Sequence, residues 1–434
     1  MVKSIKRTQA GFNIGAYIKE ESLGGIILIL VTIIAMVWAN SRFYDFYHYL
    51  WYELKFGISL GNFELNKSVH HWINDGLMSI FFFMIGLEIK REVLAGELST
   101  LKKASLPLGA AIGGMLIPAL FYVVVNINNP QYLDGWGIPM ATDIAFALGL
   151  MSILGKKVPI SLKIFLTALA IADDLGAILI IALFYTETIH VNQLINAAIF
   201  LSILMIANRL GIRRTAFYAI VGFLGVWLSF LYSGVHATIA GVLSALAIPV
   251  RPKISDEIFI GALGDKITKF INTRPNDHSL RTNRQAKLIA DIDQLSDDAN
   301  TPLQKLEHAL HPVTAYIILP LFALSNAGVK IEGNIFELLS HPIALGIIVG
   351  LIAGKSLGIS LFSKVMVKLK LADLPEGVRW RHIYGASFFA GIGFTMSIFI
   401  SGLAFMDQKY IEIAKVGIIS ASVVSAIVGF ILLS

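Results

Sequence analysis

The chain has 434 residues, 56% of them hydrophobic and 15% charged, no cysteine, and a formal charge of +6. A soluble domain carries about 25% charged residues, so a soluble globular protein is excluded, and without cysteine so are disulfide frameworks and thiolate chemistry. The positive balance alone would suit nucleic acid, but the placement of the basic residues ties them to membrane orientation instead.

Twelve apolar segments predict an all-α polytopic membrane protein. They run over about 23–40, 70–89, 105–126, 137–154, 160–185, 191–208, 215–231, 234–250, 312–328, 342–363, 383–401 and 411–433. A run of about 20 apolar residues spans a bilayer as a helix, the form in which backbone groups satisfy one another away from water. Residues 1–250 thus carry eight spans, 251–311 form a polar connection, and 312–434 carry four more.

Lys3, Lys6 and Arg7 precede the first segment, whose apolar run from Leu23 to Ala39 is too long for a cleaved signal peptide. The next connection, 51–67 (WYELKFGISLGNFELNK), alternates polar and apolar residues around Ser59-Leu60-Gly61-Asn62. That pattern reads as a β-hairpin or as an irregular loop. In the fourth segment, GIPMATDIAFALG sets Asp143 between Pro139 and Gly149, which predicts an interrupted helix.

The fifth segment, FLTALAIADDLGAILIIALF, holds Asp173 and Asp174 amid about ten apolar residues on either side. Successive helix positions differ by about 100°, so the two carboxylates face different surroundings. One suits pairing with a cation, the other a water-filled funnel. His236 opens the eighth segment, either as a modulator of pH response or as a packed neutral side chain.

The 251–311 connection is polar, with Pro252, Pro275 and Pro302. It predicts a mostly disordered loop with short helical pieces, one of them bearing Leu288, Ile289, Ile292 and Leu295. Lys355 lies well inside the tenth segment, where it can neutralise Asp173, titrate itself or snorkel to the interface. A second interrupted helix falls in the eleventh, around Gly391 and Gly393 in FFAGIGFTMSIF. Half-helix N-termini are positive and C-termini negative. Asp143 near the first and Lys355 near the second would balance both, and Asp143 would serve either that balance or ion ligation. Segments three to five run in the sense opposite to ten to twelve, as in an inverted repeat.

Of the 35 Lys and Arg, 28 fall on alternate connections starting with the N-terminal tail, counting Lys163 with its connection; five fall on the opposite ones, and Lys355 and Lys415 lie within spans. Cationic loops stay cytoplasmic, which places both termini, and 251–311, inside. Ionisable groups within the bilayer are costly and usually functional. A carboxylate that titrates there can exchange a proton for a hard cation, which prefers oxygen ligands. The charges therefore point to exchange of Na+ for H+. A sodium-coupled solute symporter and an intramembrane aspartyl protease are the rivals. The protease needs two facing carboxylates, for which Asp143 opposite Asp174 is the only workable dyad.

Seven motifs in order carry a further signal: GLEIKRE (86–92), ATDIAFALG (141–149), LTALAIADDLGAILIIALFYT (166–186), SGVHATIAGV (233–242), LEHALHP (306–312), GKSLGIS (354–360) and GIGFTMSIF (391–399). Through them nearly the whole chain resembles the NhaA-type sodium/proton antiporters of bacteria, a known example of inverted repeats with a midplane site. The resemblance implies an electrogenic inner-membrane antiporter driving Na+ or Li+ out by proton influx, with alternating access and pH regulation and without a cofactor. It implies Asp173 and Asp174 as the site of the transported Na+ and proton, with Lys355 paired to Asp173. Thr142 and Asp143 would lie at the helix crossing and Asp75 in the outer funnel. Glu88, Arg91, Glu92 and Glu307 would form a cytoplasmic pH-response cluster, and 51–67 a homodimer contact. His308 and His311, beside Glu307, read as a solvated or pH-responsive helix end rather than a metal pair. The chain departs from the family pattern in its longer 251–305 connection, in Gln304 where a basic residue is expected, and in Ala172 before the acid pair. The first two bear on the pH set-point and none on the ion site.

Overall fold

A computed structural model describes residues 14–60, 63–186, 189–273, 281–331 and 333–434. Lys3, Lys6, Arg7, the Gly61-Asn62 turn and Pro275 lie outside the described residues.

The longer helices in chain order are α1 (Ile14–Ala39), α2 (Val69–Ala95), α3 (Leu101–Asn126), α4 (Pro130–Met140), α5 (Ile144–Ile153), α6 (Ile160–Phe184), α7 (Val191–Arg209), α8 (Thr215–Leu231), α9 (Thr238–Ala247), α10 (Asp256–Ile271), α11 (Asn283–Ala299), α12 (Pro302–Asn326), α13 (Pro342–Lys368), α14 (Trp380–Ala390), α15 (Phe394–Ala404) and α16 (Gln408–Leu433). Among the described residues, α2, α3, α6, α7, α12, α13 and α16 are each long and apolar enough to cross a membrane. The pairs α4/α5, bent by 49°, and α14/α15, bent by 44°, behave as broken spans and bring the number to nine. The Leu23–Ala39 part of α1, α8 and α9 are shorter apolar helices.

Sequence chemistry places the breaks. Pro139, one residue before the end of α4, offers no N–H, and Ala141 and Asp143 are extended. On the other pair, a Cβ at Gly391 would collide with the Leu351 carbonyl and Ser425 Oγ, so only glycine lets the chain pass. Close approach is general in this bundle. A Cβ at Gly113 of α3 would strike the Gly358 carbonyl of α13, and one at Gly358 the Gly113 carbonyl. Helices in lipid gain little from hydrophobic burial against one another, and small residues let packing and backbone contacts hold them together. The outer surface is correspondingly apolar, with Leu30, Leu116, Leu120, Leu179 and Leu183 exposed.

The 51–67 region forms the hairpin. Strands β1 (Lys55–Leu60) and β2 (Phe63–Ser68) pair antiparallel, from Lys55 opposite Ser68 to Leu60 opposite Phe63. A lone hairpin is marginal in water. Here Trp72 of α2 anchors it, donating from Nε1 to the Phe56 carbonyl at 2.9 Å while its ring stacks on Phe56.

The polar connection is more ordered than expected. α10 and α11 have 16 and 17 residues and are bridged by Lys266 and Asp291 at 2.7 Å. Thr282 and Gln285 form a capping box at the start of α11, which satisfies two otherwise orphaned donors. Leu288 is buried and Ile292 and Leu295 are half-buried, whereas Ile289 is exposed. The apolar stripe thus has three members instead of four.

Candidate functional site: the crossing of the broken helices

The two breaks meet at Asp143, whose N–H donates to the Ile392 carbonyl at 2.7 Å. Its Oδ1 accepts from the Phe146 N–H (2.9 Å), capping α5. Its Oδ2 accepts from the Thr395 N–H (3.0 Å) and from the Thr395 hydroxyl, at the start of α15. One carboxylate thereby serves two half-helix N-termini, where a negative charge is favourable. Asp143 is 2% exposed and both its oxygens are engaged, so it is poorly placed as half of a protease dyad.

Asp173 and Asp174 diverge from α6 as the 100° step requires. Asp173 Oδ2 forms an ion pair with Lys355 of α13. Thr142, in the first break, sits between them. It accepts from Lys355 Nζ at 2.8 Å, and its single proton has two acceptors in reach, Asp173 Oδ2 at 2.8 Å and the Ala390 carbonyl at 2.9 Å. Ala390 ends α14, so the lysine charge reaches a half-helix C-terminus through Thr142. Lys355 is 0% exposed and does not snorkel. The Oδ1 atoms of Asp173 and Asp174 are buried and, among the described residues, accept no hydrogen bond. A buried acceptor left without a donor is costly. A proton or an oxygen-seeking cation satisfies it.

Asp174 opens onto a cleft of about 470 Å³ shared with Glu88, Thr142, Asp143, His311, Thr314 and Thr395. Glu88 and His311 are 1% and 5% exposed. Asp75 lines two other pockets, 13 residues earlier on α2 and so ~20 Å along the helix. The larger, about 510 Å³, includes Tyr52, His70, Asn74, Asn326 and Phe399 but neither Asp173 nor Asp174. Phe82, Phe322 and Phe399 pack together, with ring centroids 5.5 and 6.2 Å apart. On α15, Thr395 and Met396 line the cleft and Ile398 and Phe399 line the Asp75 pocket. On α12, Leu319 lines the cleft and Asn326 the pocket, with Phe322 between. The aromatic cluster therefore closes the gap between the two spaces.

At the Glu88 end of α2, Arg91 forms an ion pair with Glu307 of α12 and a 2.9 Å contact to Glu92. Glu92 Oε2 also accepts from the Glu97 N–H at 2.8 Å. His308 is exposed and His311 turns into the cleft. His236 is half-buried just before α9, away from this cluster. Among the described residues there is no group of three or more His, Cys, Asp or Glu that could hold a metal ion. Thr395, Thr314 and His311 join the site only through the fold. Thr395 had a legible signal, since it is the second helical residue after the Gly393 break.

Long apolar helices around a buried acid–lysine cluster, with separate clefts towards its two ends, define an ion-coupled membrane transporter. Residues 15–433 match the family described as Na+/H+ antiporter 1. The chain is 49% identical over 420 residues to the Na+/H+ antiporter NhaA 1 of Psychromonas ingrahamii, covering 96% of this chain and 95% of that one. It is 48% identical over 414 residues to the NhaA antiporter of Oleidesulfovibrio alaskensis (95% and 91%) and 46% identical over 431 residues to that of Helicobacter pylori (98% and 96%). The chain belongs to this family of Na+/H+ antiporters; it is a multi-pass inner-membrane secondary transporter and not an enzyme.

Proposed function

We propose that the chain exports Na+ or Li+ in exchange for protons through Asp174, Asp173 and Lys355. The observation that carries this reading is the pair of adjacent buried acids with opposite commitments: Asp173 held by Lys355, Asp174 open to the cleft. Na+ entering the cleft replaces a proton on Asp174. Its approach to Asp173 displaces the ammonium of Lys355, which then releases a second proton. Thr142 supplies a neutral oxygen at the same place. Two protons exchanged for one Na+ move net charge, so transport is electrogenic. Asp143 holds the crossing together and does not ligate the ion.

The twelve-segment reading is supported by nine spans plus three shorter apolar helices. The two broken pairs suit an inverted repeat. The basic connections support a cytoplasmic position for both termini, α10 and α11. On that assignment the cleft bearing Glu88 and His311 faces the cytoplasm, the Asp75 pockets face outward, and the Phe82–Phe322–Phe399 cluster closes the outer path. Alternating access requires that cluster to part while the inner cleft closes. Arg91, Glu92, Glu307 and Glu88 form the cytoplasmic pH-response group, and the hairpin, with Phe56 exposed, forms a homodimer contact.

The test is Na+ addition to everted vesicles without any organic solute. Antiport carries protons out of the lumen and alkalinises it. A symporter that needs its solute gives no signal, and a proton movement of the opposite sign rules the reading out.

A further inference from the structure

Lys415 of α16 takes no part in the crossing. It is 3% exposed, on a buried stretch with Ile413, Ala414 and Val416. Among the described residues its ammonium makes no hydrogen bond or ion pair, and the acid that acts on it is Glu412, three residues back on the same helix. A buried ammonium without a bound partner is costly, and methionine would fill a similar volume without that cost. Packing alone does not account for a lysine here.

Its side chain lines the larger Asp75 pocket, about 510 Å³. Three of the other polar residues there, His70, Asn74 and Asn326, already bond to one another: Asn326 Oδ1 lies 3.0 Å from His70 Nε2, and Asn326 Nδ2 donates to Asn74 Oδ1 at 3.0 Å. Asp75 and Lys415 are the two formally charged side chains on the wall. A lysine is a point charge on a flexible four-carbon stem. That stem gives it reach towards the acid, whose Oδ2 also lies 3.1 Å from His71 Nε2.

We propose that Lys415 is a tethered cation that competes with Na+ for Asp75 and so weakens capture of Na+ arriving from outside. This rests on the reading of the Asp75 pocket as the outer route. Na+ leaving the crossing meets an acid for which the ammonium competes, and it moves on to solvent. Na+ outside meets the same competition before it can run the exchange backwards. Lys415 is a positioning residue: it acts through Asp75 and leaves Asp174 alone. At an effective dielectric of about 20, two unit charges on the wall of one pocket interact strongly enough to change an affinity by about tenfold or more.

The test compares the two faces. Right-side-out vesicles present the outer face to added Na+, everted vesicles the cytoplasmic face, and dye-monitored proton movement gives the half-saturating Na+ on each. Lys415→Gln should lower the outer-face value about tenfold and leave the cytoplasmic-face value within about twofold, while Lys415→Arg should behave as the parent. An unchanged outer-face value, or equal shifts on both faces, overturns the proposal. If the glutamine variant does not insert, Lys415→Met must give the same one-sided shift. In an Asp75→Asn background, removing Lys415 should have no further effect; a persisting tenfold shift would overturn competition for Asp75. Absence of Na+-dependent exchange from either face of the parent would remove the antiport reading itself, a result distinct from any of these.

Discussion

Thr395 donates both its N–H and its hydroxyl to one oxygen of Asp143, across 252 residues of sequence. The other oxygen caps α5. The two half-helices are therefore tied at one carboxylate, and the crossing can be weakened without touching the acids that face the cleft. Thr395→Val removes the hydroxyl donor and keeps the shape. A hydrogen bond to a charged group contributes about 1.5–3 kcal/mol, so the variant should unfold at lower temperature in detergent, with Na+-dependent exchange retained in vesicles. Asp143→Asn removes the charge at both N-termini and should destabilise more than Thr395→Val does. Equal thermal stability of parent and both variants would refute the shared-cap role.

The aromatic cluster gives a second expectation. Phe399 contacts Phe82 and Phe322 and lines the Asp75 pocket. Phe399→Ala opens the closed side. A cysteine placed at Thr395 of this naturally cysteine-free chain should then react several times faster with a membrane-impermeant thiol reagent added outside. An unchanged rate would mean that the barrier lies elsewhere.

The hairpin should govern association and not transport. Every residue of the crossing lies within one subunit, and the hairpin meets the bundle at Trp72 and, through Leu65, beside Trp227 and Leu231. Deleting residues 53–65 should shift the protein from dimer to monomer on native gels in mild detergent while exchange continues. An unchanged dimer band would contradict this.

Much of the crossing was legible because charge is rare inside an apolar run. Asp143, Asp173, Asp174 and Lys355 stood out for that reason, and Pro139 and Gly391 marked the breaks. What the sequence could not supply was pairing across distance. Thr395 is an ordinary threonine until the fold brings it to Asp143. His311 looked like a helix-end partner of His308, yet one turns into the cleft and the other to solvent. Composition scores a polar segment as unable to form a core, whereas α10 and α11 are ordered by each other, a capping box and ion pairs of Asp291, Asp297 and Asp298 with Lys266, Lys305 and Lys253.

The Arg91–Glu307 ion pair joins α2 to α12 at the end where Glu88 and His311 line the cleft. A change in that pairing as protons leave can bias the two helices. Glu307→Gln should shift the pH of half-maximal exchange by about half a unit or more, while the apparent Na+ affinity at high pH stays nearly unchanged. Competition between Na+ and protons at Asp174 alone predicts no such shift from a residue that does not line the cleft, beyond a field screened over ~8 Å. Exchange measured against pH at limiting and saturating Na+ separates the two. Profiles that overlay the parent's at both concentrations would remove the separate sensor.

The central claim is that Asp174 carries the exchanged ion. Asp174→Asn keeps the shape and removes the titratable oxygen, and among the described residues no ion pair or hydrogen bond of the crossing depends on that side chain. The decisive measurement is dye-monitored proton movement on Na+ addition to everted vesicles containing this variant, with its insertion confirmed by detergent extraction as a folded protein. The account predicts no Na+-dependent signal at any pH. A signal of the parent's size and Na+ dependence would contradict it.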